Sequence, residues 1–333
     1  MNADELQQLR EETAEAYHVF GTVHTKDHSP AYERIGVAVA ESPELVERLT
    51  ALPPIKRQPN LLLAAVRYLG GPVDSGDAFV AWALDHWEEV RPVILARATQ
   101  TNEAGRCATL LPLLASLPQP LALIEVGASA GLCLYPDRYR YRYDGTPAFG
   151  ADGSPVTIPC ATTGPVPLPR PDRLPRVVSR TGVDLNPLDP ADADDARWLE
   201  SLVWPGQQAR FDRLRAALSV ARDASDPARI VRGDLNARVA ELVAAAPQGS
   251  TPVVFHTSVL CYLPSEARHA FTTTVRDLPC RWISNEAPDV LTDIDARLPY
   301  PAPTERGVNI LALDGKPVAF TGPHGERLDW FSH

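Results

Sequence analysis

A chain of 333 residues, 44% of them hydrophobic, is long enough for one large domain and a smaller one, each with its own core. The formal net charge of -10 argues against a broad nucleic-acid or anionic-membrane surface, because such surfaces are held by Lys and Arg, and points to a small-molecule partner. No apolar run reaches the roughly 18 residues of a membrane helix, and the opening MNADELQQLREE lacks a signal-peptide core, so the chain reads as cytoplasmic.

The texture changes near residue 118. Residues 1–117 predict an all-helical lobe: ADELQQLREETAEAYHVF, a segment from Pro30 to Ala40, and ELVERLTAL behind Ser42-Pro43 as N-cap and first-turn proline. QPNLLLAAVRYLGG, DAFVAWALDHWEEV and PVILARATQTNEAGRCATLLPLLASL complete it. Residues 118–333 predict an α/β domain with a mostly parallel sheet and a β-hairpin insertion at about 138–180. The five cysteines include no C-x-x-C pair, which predicts reduced thiols and no structural zinc.

In LALIEVGASAGL, residues 121–132, an apolar strand ends at Glu125 and is followed by a Gly127/Gly131 turn that predicts the opening of a helix. An insertion follows in which Tyr139, Tyr141 and Tyr143 alternate with Arg138, Arg140 and Arg142; the tyrosines cover substrate or pack on the sheet edge. VVSRTGVDL ends a second strand at Asp184, RIVRGDL a third at Asp234, TPVVFHTSVL gives a fourth and RWISNE a fifth ending at Glu286. The tail predicts two strands joined by Asp314-Gly315. Asp189, Asp192, Asp194 and Asp195 lack a calcium-loop spacing and read as solvated or helix-capping.

Five strand-helix units followed by a terminal β-hairpin resemble the Rossmann-like fold of class I S-adenosylmethionine-dependent methyltransferases. That resemblance implies S-adenosylmethionine as cofactor, with Glu125 near its methionine part, Asp184 on the ribose hydroxyls and Asp234 at the adenine. The turn residues Gly127, Ser129 and Gly131 belong to the same implied site. A nicotinamide dehydrogenase is disfavoured because G-x-G-x-x-G fails at its second and third glycines. Asn102 and Arg106 in TQTNEAGR, at helical spacing with Glu103 and Arg97 nearby, grip the cofactor or join the lobe to the sheet.

Chemistry is expected after the fourth strand, in FHTSVLCYLP. Histidine is the residue type best suited to a general base near neutral pH, which makes His256 the first candidate, with Glu286 and Tyr262 as further catalytic candidates, while a His at the end of a buried strand is often a hydrogen-bonded core residue. The [DN]-P-P-[FY] motif is absent, and Ser258 is not in G-x-S-x-G. The expected reaction is methyl transfer to a small acceptor; the alternative is a non-catalytic protein of this fold that binds a nucleoside-type ligand or a protein partner. SPAYERI at 29–35, LLLAAVRYL at 61–69, TQTNEAGRCATLLP at 99–112, EVGASAGL at 125–132 and GVDLNPLD at 182–189 also resemble a bacterial family catalogued as domain of unknown function 2332, over nearly the whole chain.

Overall fold

The computed structural model describes residues 2–305 and 307–332. Its chain forms two compact units, Met1–Thr101 with Ala193–Asp212 and Asn102–Asp192 with Arg213–His333. The division therefore falls at 101/102, not at 117/118, and one later segment joins the helical unit.

The first unit holds α1 (Ala3–Val19), α2 (Pro30–Ala40), α3 (Pro43–Thr50), α4 (Pro59–Tyr68), α5 (Gly76–Asp85) and α6 (Trp87–Ala96). Ser29, Ser42 and Ser75 cap α2, α3 and α5 by accepting a backbone N–H, with Pro30 and Pro43 opening the first two. Helix α8 (Ala193–Leu202) belongs here because Trp198 is fully buried and donates its indole N–H to the Ala98 carbonyl at 3.0 Å. Arg97 pairs with Asp194 and, at 2.7 Å, with Asp195. These two acids are thus ion-pair partners of Arg97 and not simply solvated.

In the second unit α7 (Cys107–Ser116) leads into an 11-stranded sheet. The strands are β1 (Leu121–Val126), β2 (Arg140–Tyr143), β3 (Phe149–Gly150), β4 (Thr157–Thr163), β5 (Val177–Asp184), β6 (Arg229–Arg232), β7 (Thr251–Thr257), β8 (Arg281–Glu286), β9 (Asn309–Leu313), β10 (Lys316–Thr321) and β11 (Arg327–Trp330). Their order is β3-β2-β4-β11-β10-β9-β8-β7-β1-β5-β6. The stretch β6-β5-β1-β7-β8 is parallel throughout, and β9, β10 and β11 continue it as an antiparallel meander. Helix α9 (Gln208–Arg222) precedes β6, α10 (Leu235–Ala244) lies between β6 and β7, α11 (Ser265–Asp277) between β7 and β8, and the short α12 (Thr292–Asp295) after β8.

Three expectations change. No α-helix follows β1: Gly131 is left-handed, and two 3-10 turns, Leu132–Leu134 and Pro136–Arg138, lead straight to β2. The tail has three strands, since a turn around Gly325 returns the chain as β11 after the Asp314-Gly315 turn. The insertion is more than a hairpin, because β4 pairs in parallel with β2 on one side and β11 on the other, and so extends the sheet. Tyr139, Tyr141 and Tyr143 are buried and donate to the carbonyls of Leu132, Pro136 and Ala108 at 2.7, 2.5 and 2.6 Å. Their phenol groups are satisfied by backbone, which makes this a packing face.

The core on one side of the sheet joins Ile124, Val126, Val254 and Trp282 to Val239 of α10 and Phe271 of α11. Among the described residues no helix is long and apolar enough to cross a membrane.

Candidate functional site

The direction of chain travel reverses between β1 and β7: from β1 the sheet grows through β5 to β6, and the chain then returns to build β7 and β8 on the other side. In open α/β sheets the crevice outside the carboxyl ends at such a point is where ligands bind. Glu125, Asp184, Thr257 and Glu286 all lie at these ends.

The turn after β1 is held to β5. The N–H groups of Gly127 and Ala128 donate to the Val183 carbonyl at 2.8 and 3.2 Å, and the Ser129 N–H donates to Asp184 Oδ2 at 2.8 Å. Gly127, Ser129 and Gly131 have φ of 70, 49 and 69°, a region that disfavours side chains. A Cβ on Gly127 would stand 2.5 Å from Val259 Cγ2. The glycine is required here by left-handed backbone and by Val259 of the loop after β7.

Asp184 is half-buried, and its second oxygen accepts the Asn186 N–H at 2.7 Å. Each oxygen thus holds one backbone donor and keeps further lone pairs. Asp234 differs: it is exposed and caps α10, taking the N–H groups of Asn236 and Ala237 on Oδ1 at 2.9 and 3.2 Å.

Strand alternation divides the remaining candidates between the two faces of the sheet. Ile124 and Val126 enter the core with Phe271, so Glu125 between them points to the opposite face. It is 5% exposed, and its Oε2 has no partner among the described residues. Burial, then the adjacent Cys133, pushes its carboxyl well above the usual carboxylate range; Arg106 opposes the shift and Asp184 adds to it. Cys133 Sγ also contacts the Glu103 carbonyl at 3.4 Å, which brings the 102–106 segment to this face. Asn102 Nδ2, beside Glu103 in the chain, and Ser129 Oγ, four residues after Glu125, are also buried without a partner among the described residues.

Arg106 is buried, in a 3-10 turn (Ala104–Arg106) and not on a helical face shared with Asn102. Its Nε donates to the Pro323 carbonyl at 3.0 Å, and Nη1 to the carbonyl and Oγ1 of Thr257 at 2.8 and 3.1 Å. These bonds make it a clasp between three chain segments. Glu103 pairs with Arg213 at 2.8 Å.

His256, two residues after Val254, shares the other face with Phe271 and Trp282 and is fully buried. Trp282 Nε1–H donates to its Nε2 at 3.0 Å. An indole N–H is donor only, so Nε2 is the accepting nitrogen and the ring proton sits on Nδ1, which meets Glu286 Oε1 at 2.6 Å. Both nitrogens are occupied, and the general-base role expected of His256 gives way to an internal one. Glu286 Oε1 also accepts the N–H groups of Val259 and Leu260 at 2.9 and 3.1 Å, whereas Glu286 Oε2, buried, has no partner among the described residues. Tyr262 is 78% exposed at the tip of the same loop.

Trp282, Cys133 and Val259 were not singled out from sequence. Period two puts Trp282 and Glu286 on one face of β8, but that β7 lies beside β8 with His256 opposite Ser284 is set by tertiary pairing. Among the described residues no group of three or more His, Cys, Asp or Glu is placed to hold a metal ion.

No curated protein matches this sequence. The match to the bacterial family described as "Uncharacterized protein conserved in bacteria (DUF2332)" runs over residues 14–330, and the chain belongs to that family.

Proposed function

We propose that the carboxyl edge of the parallel strands binds S-adenosylmethionine and that the chain transfers its methyl group to a small acceptor. The observation that carries this reading is the set of buried atoms without a partner among the described residues: Glu125 Oε2 near the end of β1, Ser129 Oγ in the turn after it, and Asn102 Nδ2 beside Glu103, whose carbonyl meets Cys133. A buried polar atom without a partner is costly, and a ligand that supplies the partner removes that cost. These residue types fit an amino-acid moiety: Glu125 accepts from an ammonium, Ser129 bonds either end, and Asn102 Nδ2 donates to a carboxylate. Asp184 retains lone pairs for ribose hydroxyls, while Asp234, as a helix cap, has the weaker case.

When bound, the cofactor supplies an electrophilic methyl group, and alignment of the acceptor is the protein's main contribution. The internal hydrogen bonds of His256 favour a second reading, in which the same edge binds a nucleoside-type ligand without turnover.

Calorimetric titration of the full chain with S-adenosylmethionine and S-adenosylhomocysteine, with NAD as control, tests the proposal. Micromolar binding that weakens at least tenfold in Asp184→Ala and Glu125→Gln supports the site, and turnover in an acceptor screen separates the two readings. Equal, weak binding of all three compounds by the folded protein would overturn both.

A further inference from the structure

Of the two carboxyl groups that end on either side of the chain reversal, Glu286 is the more rigidly built. Three donors converge on Oε1, from His256 Nδ1 and from the Val259 and Leu260 backbone, and His256 is itself fixed by the Trp282 indole. A carboxylate with one oxygen held by three donors has little freedom to turn, so the direction of the other oxygen is set by the network. That other oxygen, Oε2, is the one hydrogen-bonding atom of the Trp282-His256-Glu286 chain left without a partner among the described residues, in a side chain only 2% exposed.

We propose that Glu286 Oε2 is the docking point for the donor group of a small amine or alcohol at the carboxyl ends of β7 and β8, with His256 and Trp282 as its positioning residues. An acceptor-only ligand gains nothing at this atom; an ammonium or hydroxyl supplies the missing bond. The loop after β7 lies against the carboxyl through its own N–H groups. It begins at Ser258, a non-glycine residue at φ 56°, whose Oγ accepts from Asn309 Nδ2 at 3.2 Å. A left-handed non-glycine residue marks backbone held by its surroundings, which keeps the Val259 and Leu260 N–H groups on Oε1. The site stands without S-adenosylmethionine bound at Glu125, so its failure and that of methyl transfer are separable.

The test is titration of the full chain with ethanolamine, which carries both donor types, and with acetate as the acceptor-only control. The Trp282 indole resonance, assigned with Trp282→Phe, serves as the reporter. Ethanolamine should give a saturable shift in the millimolar range and acetate none. Glu286→Gln keeps an oxygen for the three internal donors but puts an amide donor where Oε2 stood, and it should weaken ethanolamine at least tenfold. No saturable shift, or unchanged affinity in Glu286→Gln, would overturn the proposal. If that variant does not fold, a high-resolution crystal structure with ethanolamine decides: its ammonium or hydroxyl on Oε2 supports docking, and an ordered water kept there overturns it. For the positioning role, Trp282→Phe frees His256 Nε2 while Nδ1–H stays on Glu286, and it should weaken ethanolamine about threefold by calorimetry and move the Nε2 resonance; an unchanged affinity in that variant removes Trp282 from the role.

Discussion

Two carboxyl groups end adjacent regions of the same sheet, and their surroundings differ in kind. Glu286 is met by three donors on one oxygen, while Glu125 has burial, a thiol and another carboxylate around it, with Arg106 turned to other acceptors. The first region is a finished hydrogen-bond network with one open position. The second is a set of polar groups that includes Glu125 Oε2 and Ser129 Oγ, neither with a partner among the described residues. A buried network built to satisfy itself stabilises its loop, whereas a buried set left unsatisfied weakens the fold unless a ligand completes it. The β7/β8 side is thus a braced network that leaves one aimed oxygen, and the β1 side a loosely braced set of polar groups.

The sharpest way to break this contrast is to remove the centre of the finished network. His256→Leu leaves the Trp282 N–H without an acceptor and takes one donor from Glu286, both in full burial. We expect a loss of about 3 kcal/mol in urea denaturation, from one unsatisfied buried indole N–H together with one lost hydrogen bond to a buried carboxyl group that keeps its two backbone donors. A variant as stable as the wild type would place the network among dispensable contacts.

A smaller effect sharpens the link between the two regions. Gly127→Ala puts a methyl against Val259 and holds a side chain at φ 70°, so about 2 kcal/mol should be lost. The double variant with Val259→Ala should recover part of it, because the two Cγ contacts are removed while a 3.2 Å approach to Val259 Cβ and the backbone strain remain. Strict additivity of the two substitutions would show that the β1 turn and the β7 loop do not press on one another.

Short apolar runs bounded by turn residues made the central strands of this sheet legible in the sequence. The strands ending near Glu125, Asp184 and Glu286 follow from such runs closing on an acid, and the Asp314-Gly315 turn from left-handed turn chemistry. The turn after β1 misled because a glycine pair before an apolar run has the same local pattern whether an α-helix or a 3-10 turn follows, and here the chain goes on to strands of the sheet. Helical spacing between Asn102 and Arg106 failed for a similar reason: Glu103 caps the turn by accepting the Gly105 N–H, so regular helix begins only at Cys107. The role of His256 was beyond local pattern altogether. Its partners lie 26 and 30 residues away, and their meeting depends on which strand β7 chooses as neighbour.

The smallest expected effect, and the most specific, concerns Glu125. Its carboxyl is raised in the folded protein by burial and by Cys133 and Asp184, against the pull of Arg106, while in the unfolded chain it titrates near about 4.3. The native state therefore keeps a proton that the unfolded state has released, and stability falls with pH wherever the native state binds more protons. The contribution is fully present below the unfolded pKa and is lost as pH rises from there through the raised folded value. Glu125→Gln mimics the neutral acid at every pH. It should match the wild type in acid and exceed it by about 1 kcal/mol at the alkaline end of that window, read as the difference between two urea-denaturation series over pH. A constant difference across the series would mean that Glu125 ionises in the native protein without penalty, and the contrast between a finished and an unfinished carboxyl site would lose its physical basis.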